Sequence, residues 1–189
     1  DCLAVSGGWN PTVHMTCHMN GRPKWQPEIA SFIPVPKTIP GLFAAGACNG
    51  VFSTHRCLQE GHLAANAALS ALKIKIKKTP IPKAEDQGYS ISALWAVPGE
   101  ARAWVDLQND VTVKDIKQAA VESYSSVEHM KRYTTQGMAP DQGKNSNVQA
   151  LAVLADVTGR GIPETGVTTF RPPYVPVSIA AMGAGAQGM

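Results

Sequence analysis

The chain has 189 residues, of which 44% are hydrophobic and 6% aromatic, and a net charge of +3. That small charge, with no long basic stretch carrying interleaved aromatics, excludes a nucleic-acid footprint. No apolar run approaches the about 20 residues a membrane span needs. The 14 prolines and 17 glycines favour tight turns and linkers over one all-helical unit. Cys2, Cys17, Cys48 and Cys57 form no C-x-x-C pair and no disulfide framework, so reduced thiols of a cytoplasmic protein are expected. Asp1 opens a strand already under way and Met189 falls inside a run of small residues, so both ends read as cuts through a longer protein, with no signal peptide before the strand.

Residues 1–72 alternate strand, glycine turn and helix. Asp1–Ser6 reads as a strand and Ser6-Gly7-Gly8-Trp9-Asn10-Pro11 as a turn. Leu42–Ala45 is expected as a short buried strand, after which Gly46 turns the chain toward a helix from about Ser53 to Leu72. In that helix Leu58, Ala65, Leu69 and Leu72 share one face, and Gly61, Ala64 and Ala68 permit close packing. A glycine turn between a strand end and a helix N-terminus suits a pyrophosphate, because free backbone N–H groups and the positive helix end both face it. On spacing alone such a corner is more often a plain turn.

Residues 73–94 read as a linker, with Lys73-Ile74-Lys75-Ile76-Lys77-Lys78 forming either a short edge strand or a solvated charge run. His14, Cys17 and His18, together with Cys48, Cys57 and His62, invite a metal reading, but no set has zinc-like paired spacing. Packed thiols and surface histidines are expected instead, with no metal site and no catalytic Cys/His pair.

Residues 95–170 read as a small, mainly helical domain. Ala103-Trp104-Val105-Asp106 is a strand, and Thr112 caps a helix over Val113–Glu122 with Ile116, Ala119, Ala120 and Tyr124 as its apolar stripe. Ser126 caps a second helix, Val127–Tyr133, which Gly137 breaks. Ser146 or Asn147 opens a third, Val148–Val157, ended by Thr158-Gly159. Lys131, Arg132, Tyr133, Asp141 and Lys144 are candidates for a polar surface site or, more plainly, for capping and surface charge. No carboxylate pair can be placed for acid–base work, so no catalytic residue is assigned.

Gly41-Leu42-Phe43-Ala44-Ala45-Gly46 is similar to the segment near the end of two-dinucleotide-binding flavoproteins such as the pyridine nucleotide-disulfide reductases. There an aspartate follows the last glycine and holds the flavin's ribityl chain; here the position is Ala47. Sarcosine oxidase alpha subunits share that loss, and their matching domain holds NAD. The resemblance implies that Gly46 and Ala47 approach the dinucleotide backbone, with Phe52 and Thr54 beside it where the helix begins. The adenosine-binding fingerprint would lie upstream. A free-standing disulfide reductase tail is disfavoured by Ala47 and by the helical domain that follows.

Residues 95–170 resemble the small [2Fe–2S] domains of the bacterioferritin-associated ferredoxin type, whose cluster takes four thiolates. The four ligand positions hold Asp106, Gln108, Asp141 and Ser146, so the resemblance implies a scaffold without its cluster and no iron. From about Leu94 to Val177 the chain resembles the cluster-free third domain of sarcosine oxidase alpha subunits. Thr168–Val177 resembles the entry into a folate-binding, aminomethyltransferase-like domain, so residues 171–189 are expected to be its truncated start.

The fold class so implied is α/β plus a small mainly α domain: the C-terminal portion of a two-dinucleotide-binding-type domain, then a cluster-free ferredoxin-like helical domain. The family oxidises the N-methyl group of sarcosine to give glycine and hydrogen peroxide, passing the one-carbon unit to tetrahydrofolate. The resemblance implies NAD on the alpha subunit, FAD and covalent FMN on a beta subunit, and beta, gamma and delta partners in a heterotetramer. The alternative is a scaffold or electron-transfer module of a related N-methyl amine or opine dehydrogenase.

Overall fold

The computed structural model describes residues 2, 8–17, 19–171 and 175–183, and the chain divides into two units, Asp1–Leu94 and Trp95–Met189. The strand expected over Asp1–Ser6 falls largely outside the described residues.

In the first unit His14–Cys17 form a one-turn helix, α1, with His14, Thr16 and Cys17 buried, so His14 is not the surface histidine expected. Next comes a hairpin that the residue pattern did not announce, β1 (Lys24–Gln26) against β2 (Ser31–Ile33), with Trp25 opposite Phe32. These two rings meet edge to face with centroids 5.0 Å apart, and Phe32 is buried. Strands of three residues have too short an alternation to be read from a sequence.

Leu42–Ala45, expected as a buried strand, has no strand pairing, and Phe43 is 44% exposed. A strand exists through its hydrogen-bonded ladder, and among the described residues the only paired strands are those of two antiparallel hairpins. The helix beyond forms close to the expected limits as α2 (Thr54–Ala71), capped by Ser53, whose hydroxyl accepts the Arg56 N–H at 3.4 Å. None of its residues is buried, and Leu63 is 66% exposed. The lysine-isoleucine run after it forms no strand, and its side chains are solvated.

Among its described residues the second unit has two short strands, three longer helices and two one-turn helices. β3 (Trp104–Asp106) pairs antiparallel with β4 (Val111–Thr112) across a bulge. Thr112 then starts α3 (Val113–Val121) with a reciprocal capping box: its N–H and hydroxyl both reach the Asp115 carboxylate, while the Asp115 N–H returns to the hydroxyl. α4 (Val127–Thr134) is capped by Ser126 and ends on Thr135 at φ +65°, before Gly137 is reached. α5 (Asn147–Thr158) is buried continuously from Ala150 to Ala155, because α3 and a short α6 (Ile162–Thr165) both pack on it. Ile116, Met130, Leu151 and Leu154 are fully enclosed where α3, α4 and α5 meet. A last turn, α7 (Ile179–Met182), is exposed.

Candidate functional site

Two places bear on function, one in each unit. The first is the glycine corner before α2. Gly46 is buried at φ +69° and opens a 3-10 turn, Gly46–Asn49, that ends on Gly50 at φ +79°. A Cβ on Gly46 would stand 3.4 Å from Cys57 Sγ, an ordinary contact, so it is the left-handed backbone that calls for glycine here. The Gly46 N–H does not point into solvent. It donates to Glu60 Oε2 at 2.9 Å, while Asn49 Nδ2 donates to Glu60 Oε1 at 3.2 Å. Glu60, two turns into α2, thereby clasps the corner against the helix, a role that no feature of the sequence announces.

Of the other residues singled out, Ala47 and Thr54 are exposed, and Phe52 is half-buried with its ring 4.3 Å from that of Tyr89. All four therefore sit on one corner, Gly46 and Ala47 on the 3-10 turn and Phe52 and Thr54 on either side of the Ser53 cap. The first-turn N–H groups of α2 lie outside its hydrogen-bond ladder and give this end a positive character. An acidic group already answers it. Ser53 Oγ donates to Asp86 Oδ1 at 2.5 Å, and Arg56 Nε lies 3.3 Å from Asp86 Oδ2. The Ser53 hydroxyl, with the Arg56 guanidinium, holds the Asp86 carboxyl below its usual range. The corner thus fits an anionic oxygen such as a pyrophosphate would bring. It does so through Ser53, Arg56 and the helix end rather than through the Gly46 N–H.

Beside the corner, Pro34, Ile39, Leu42, Phe43, Leu63 and Ala67 line much of an apolar cavity of 650 Å³, with the Glu60 side chain at its wall. Cys48 donates to the Thr12 carbonyl at 3.2 Å, and burial pushes its thiol up; Cys57 donates to the Val51 carbonyl at 3.1 Å. None of the four cysteines is in a disulfide, and among the described residues no three metal-ligating side chains gather.

The second place holds Asp106, Gln108, Asp141 and Ser146, the residues that the ferredoxin-type resemblance sets at ligand positions. Asp106, 2% exposed, accepts the Gln108 N–H at 2.9 Å and the Asn109 N–H at 3.3 Å on Oδ1, and the Gly137 N–H at 2.7 Å on Oδ2. Its carboxylate so joins the turn after β3 to the loop after α4. Asp141 accepts the Gly143 N–H at 3.2 Å. Ser146 was a candidate cap for α5, but its hydroxyl makes no cap bond and instead accepts from Gln136 Nε2 at 2.9 Å.

The hub of this place is Asn147, which sequence reasoning treated only as a possible cap. Its Oδ1 accepts from Gln136 Nε2 at 2.9 Å, and its Nδ2 donates to the Gln142 carbonyl at 3.2 Å and to Thr168 Oγ1 at 3.1 Å. Gly143, at φ +70°, lies flat against this amide: a Cβ there would fall 2.2 Å from Asn147 Oδ1. The glycines of the Gly137–Gly143 loop were the one signal that something bulky must lie beneath it. Buried polar groups joined in this way favour one loop conformation, although Gln136 Oε1 is buried without a hydrogen-bond partner among the described residues. These side-chain bonds join the loop after α4 to the start of α5 and to Thr168.

The surface charges form pairs within the unit. Arg132 bonds Glu128 at 2.7 Å one helical turn away, and Glu128 also accepts the Thr169 N–H at 2.7 Å. Burial lowers the Lys131 ammonium. Tyr133 stacks on Tyr124 at 4.3 Å and donates to Glu122.

Comparison with known proteins adds to this geometry. The family model for the sarcosine oxidase A3 domain matches residues 100–186. The sarcosine oxidase alpha subunit of Rhizobium meliloti (strain 1021) is 44% identical over 185 residues, covering 96% of this chain and 19% of that protein. Its counterpart in Corynebacterium sp. (strain P-1) is 38% identical, covering 100% of this chain and 20% of that protein. An opine oxidase subunit of Rhizobium meliloti (strain 1021) is 22% identical over 94% of this chain and 42% of that protein. Among solved structures, L-proline dehydrogenase from P. horikoshii superposes with a TM-score of 0.69 at 18% identity, covering 92% of this chain and 37% of that one, a likeness of fold alone. The chain spans about a fifth of the length of the sarcosine oxidase subunits it matches. It belongs to the family of sarcosine oxidase alpha subunits, with the A3 domain over residues 100–186.

Proposed function

We propose that this chain is the middle portion of a sarcosine oxidase alpha subunit, an oxidoreductase component that supplies part of a dinucleotide seat and a subunit-contacting domain. The observation that carries the reading is similarity along the whole chain, at 38–44% identity, to subunits of that name. The fold shared with a dehydrogenase is in keeping with it. In this reading sarcosine is demethylated to glycine with hydrogen peroxide, and the one-carbon unit becomes 5,10-methylenetetrahydrofolate. When bound, a covalent FMN on the beta subunit supplies the hydride acceptor; FAD is held there too, and tetrahydrofolate binds a domain beyond residue 189. The residues here perform none of that chemistry. Ser53, Arg56 and the first turn of α2 would hold an anionic part of NAD, with Phe52 and Thr54 alongside and Gly46–Ala47 shaping the approach. The 95–170 unit would meet the partner subunits, with Tyr124 and Tyr133 offering a rigid aromatic surface beside charged groups. The assembly would contain beta, gamma and delta subunits and work in the cytoplasm; among the described residues no helix is long and apolar enough to cross a membrane.

The test is to co-express the full-length protein with its partners and to measure sarcosine-dependent peroxide with and without tetrahydrofolate. Turnover with methylenetetrahydrofolate formed would establish the reading. An assembled, flavin-loaded complex inert toward sarcosine would overturn it.

A second reading, a scaffold or electron-transfer module of an opine or N-methyl amine dehydrogenase, has the 22% identity to the opine oxidase subunit in its favour. The oxygen and amide side chains at 106, 108, 141 and 146 count against an electron-transfer cluster, since iron–sulfur clusters of this kind take thiolates.

A further inference from the structure

The 73–94 segment has no regular structure past residue 73, yet a short stretch of it is tied firmly to the glycine corner. Asp86 takes the Ser53 hydroxyl and the Arg56 guanidinium. Three residues on, Tyr89 lays its ring against Phe52 and accepts the Trp9 N–H at 3.3 Å. Ile91 then closes on Gly8, where a Cβ would fall 2.8 Å from Ile91 Cδ1 and 3.2 Å from the Tyr89 hydroxyl. The stretch therefore crosses the start of α2, over the residues that the resemblance gives to the dinucleotide.

We propose that residues 86–91 are a removable strap over the dinucleotide seat, with the Asp86 carboxylate standing at the N-terminus of α2 in place of a dinucleotide phosphate. This rests on the dinucleotide reading of the corner. The argument is one of exclusion by charge. Ser53 has a single hydroxyl hydrogen, and it is given to Asp86. A pyrophosphate reaching the same hydroxyl and the same guanidinium would meet the Asp86 carboxylate at contact distance, and like charges that close repel. One anion must leave. The strap is built to leave easily: the Asp86 and Arg56 side chains are 45% and 66% exposed, so their pairing is screened by water. Its backbone belongs to no helix or sheet that would have to break. Because binding and strap release are linked, each must shift the other by the same factor.

The experiment uses the assembled complex with the full-length protein, freed of dinucleotide, in wild-type and D86N forms. NAD affinity is measured by fluorescence titration, and opening of the strap by the rate of tryptic cleavage at Lys83, which lies three residues before Asp86. D86N should bind NAD roughly five-fold tighter, the lower end of ordinary coupling between sites. In the wild type, saturating NAD should raise cleavage at Lys83 by a similar factor, and D86N should be cleaved fast without it. NAD binding that is indifferent to D86N, or cleavage at Lys83 that is indifferent to NAD, would overturn the strap and leave the dinucleotide reading standing. Failure of both proteins to bind NAD would overturn the dinucleotide reading and the strap's ligand with it.

Discussion

Asp106 Oδ2 accepts the backbone N–H of Gly137 at 2.7 Å, across 31 positions of chain. One carboxylate thereby ties the turn after β3 to the loop after α4. The buried N–H of Gly137 has this carboxylate as its acceptor, and the two N–H groups of the turn converge on its other oxygen.

Removing that carboxylate should be costly. Asp106→Ala withdraws three charge-assisted acceptor contacts and strands at least one buried donor, a loss of about 3 kcal/mol. Asp106→Asn keeps one acceptor oxygen and should lose about half as much. Urea unfolding would measure both, and hydrogen exchange at Gly137 should quicken more in the alanine variant. Equal losses in the two variants would mean that the acceptor oxygen kept by asparagine contributes nothing.

Two glycines with nearly the same φ offer a controlled comparison. Gly143 and Gly159 lie at φ +70° and +67°, but a Cβ on Gly143 would strike the Asn147 amide at 2.2 Å, whereas nothing lies within 4 Å of one on Gly159. Gly159→Ala should cost only the left-handed backbone, about 1 kcal/mol. Gly143→Ala must also displace Asn147 and open its network, raising the loss above about 3 kcal/mol. Thermal unfolding of the two variants should show the difference directly.

The capping box predicts a pH dependence. The Thr112 hydroxyl, followed by the Thr112 N–H, lowers the Asp115 carboxyl below its ordinary value. A group lowered in the folded state binds protons more readily when unfolded, so its stabilisation is complete above the unfolded value and is lost as pH falls through the folded one. Asp115 is largely exposed, so Asp115→Ala should lose only what a cap usually contributes, about 1 kcal/mol at pH 7. Its denaturation midpoint should converge with that of the wild type in acid, below the ordinary aspartate range. A difference that stays constant through that range would rule out the carboxylate as the source.

The core at the meeting of α3, α4 and α5 should respond as a close-packed interior does. Leu154 is fully enclosed, and Leu154→Ala should cost about 3 kcal/mol. Ile116→Val, which deletes one methylene from an equally enclosed side chain, should cost about 1 kcal/mol. Chemical denaturation of the second unit's signals would read both.

Metal analysis is a direct check on the substituted ligand positions. The full-length protein should contain no iron attributable to residues 106–146 and no visible absorption from a [2Fe–2S] cluster there. Iron retained by the wild type but lost on Asp106→Ala and Asp141→Ala would overturn the cluster-free reading.

What the sequence determined by itself was local. Ser53, Thr112 and Ser126 each start a helix because a side-chain oxygen can satisfy a first-turn N–H within three residues, a relation visible in the order of residues. The 3.6-residue apolar spacing marked α3, and long similar stretches identified the family. Tertiary structure alone decided which polar groups meet. Leu42–Ala45 has the composition of a strand but pairs with none among the described residues, since a strand requires a partner ladder that neighbouring residues do not supply. Glu60 turns to Gly46, Asp86 reaches Ser53, and Asn147 gathers Gln136, Gln142 and Thr168 over separations of 5 to 33 residues. Hydrogen bonds over such separations follow from how the chain closes on itself, and no periodicity in the sequence encodes them.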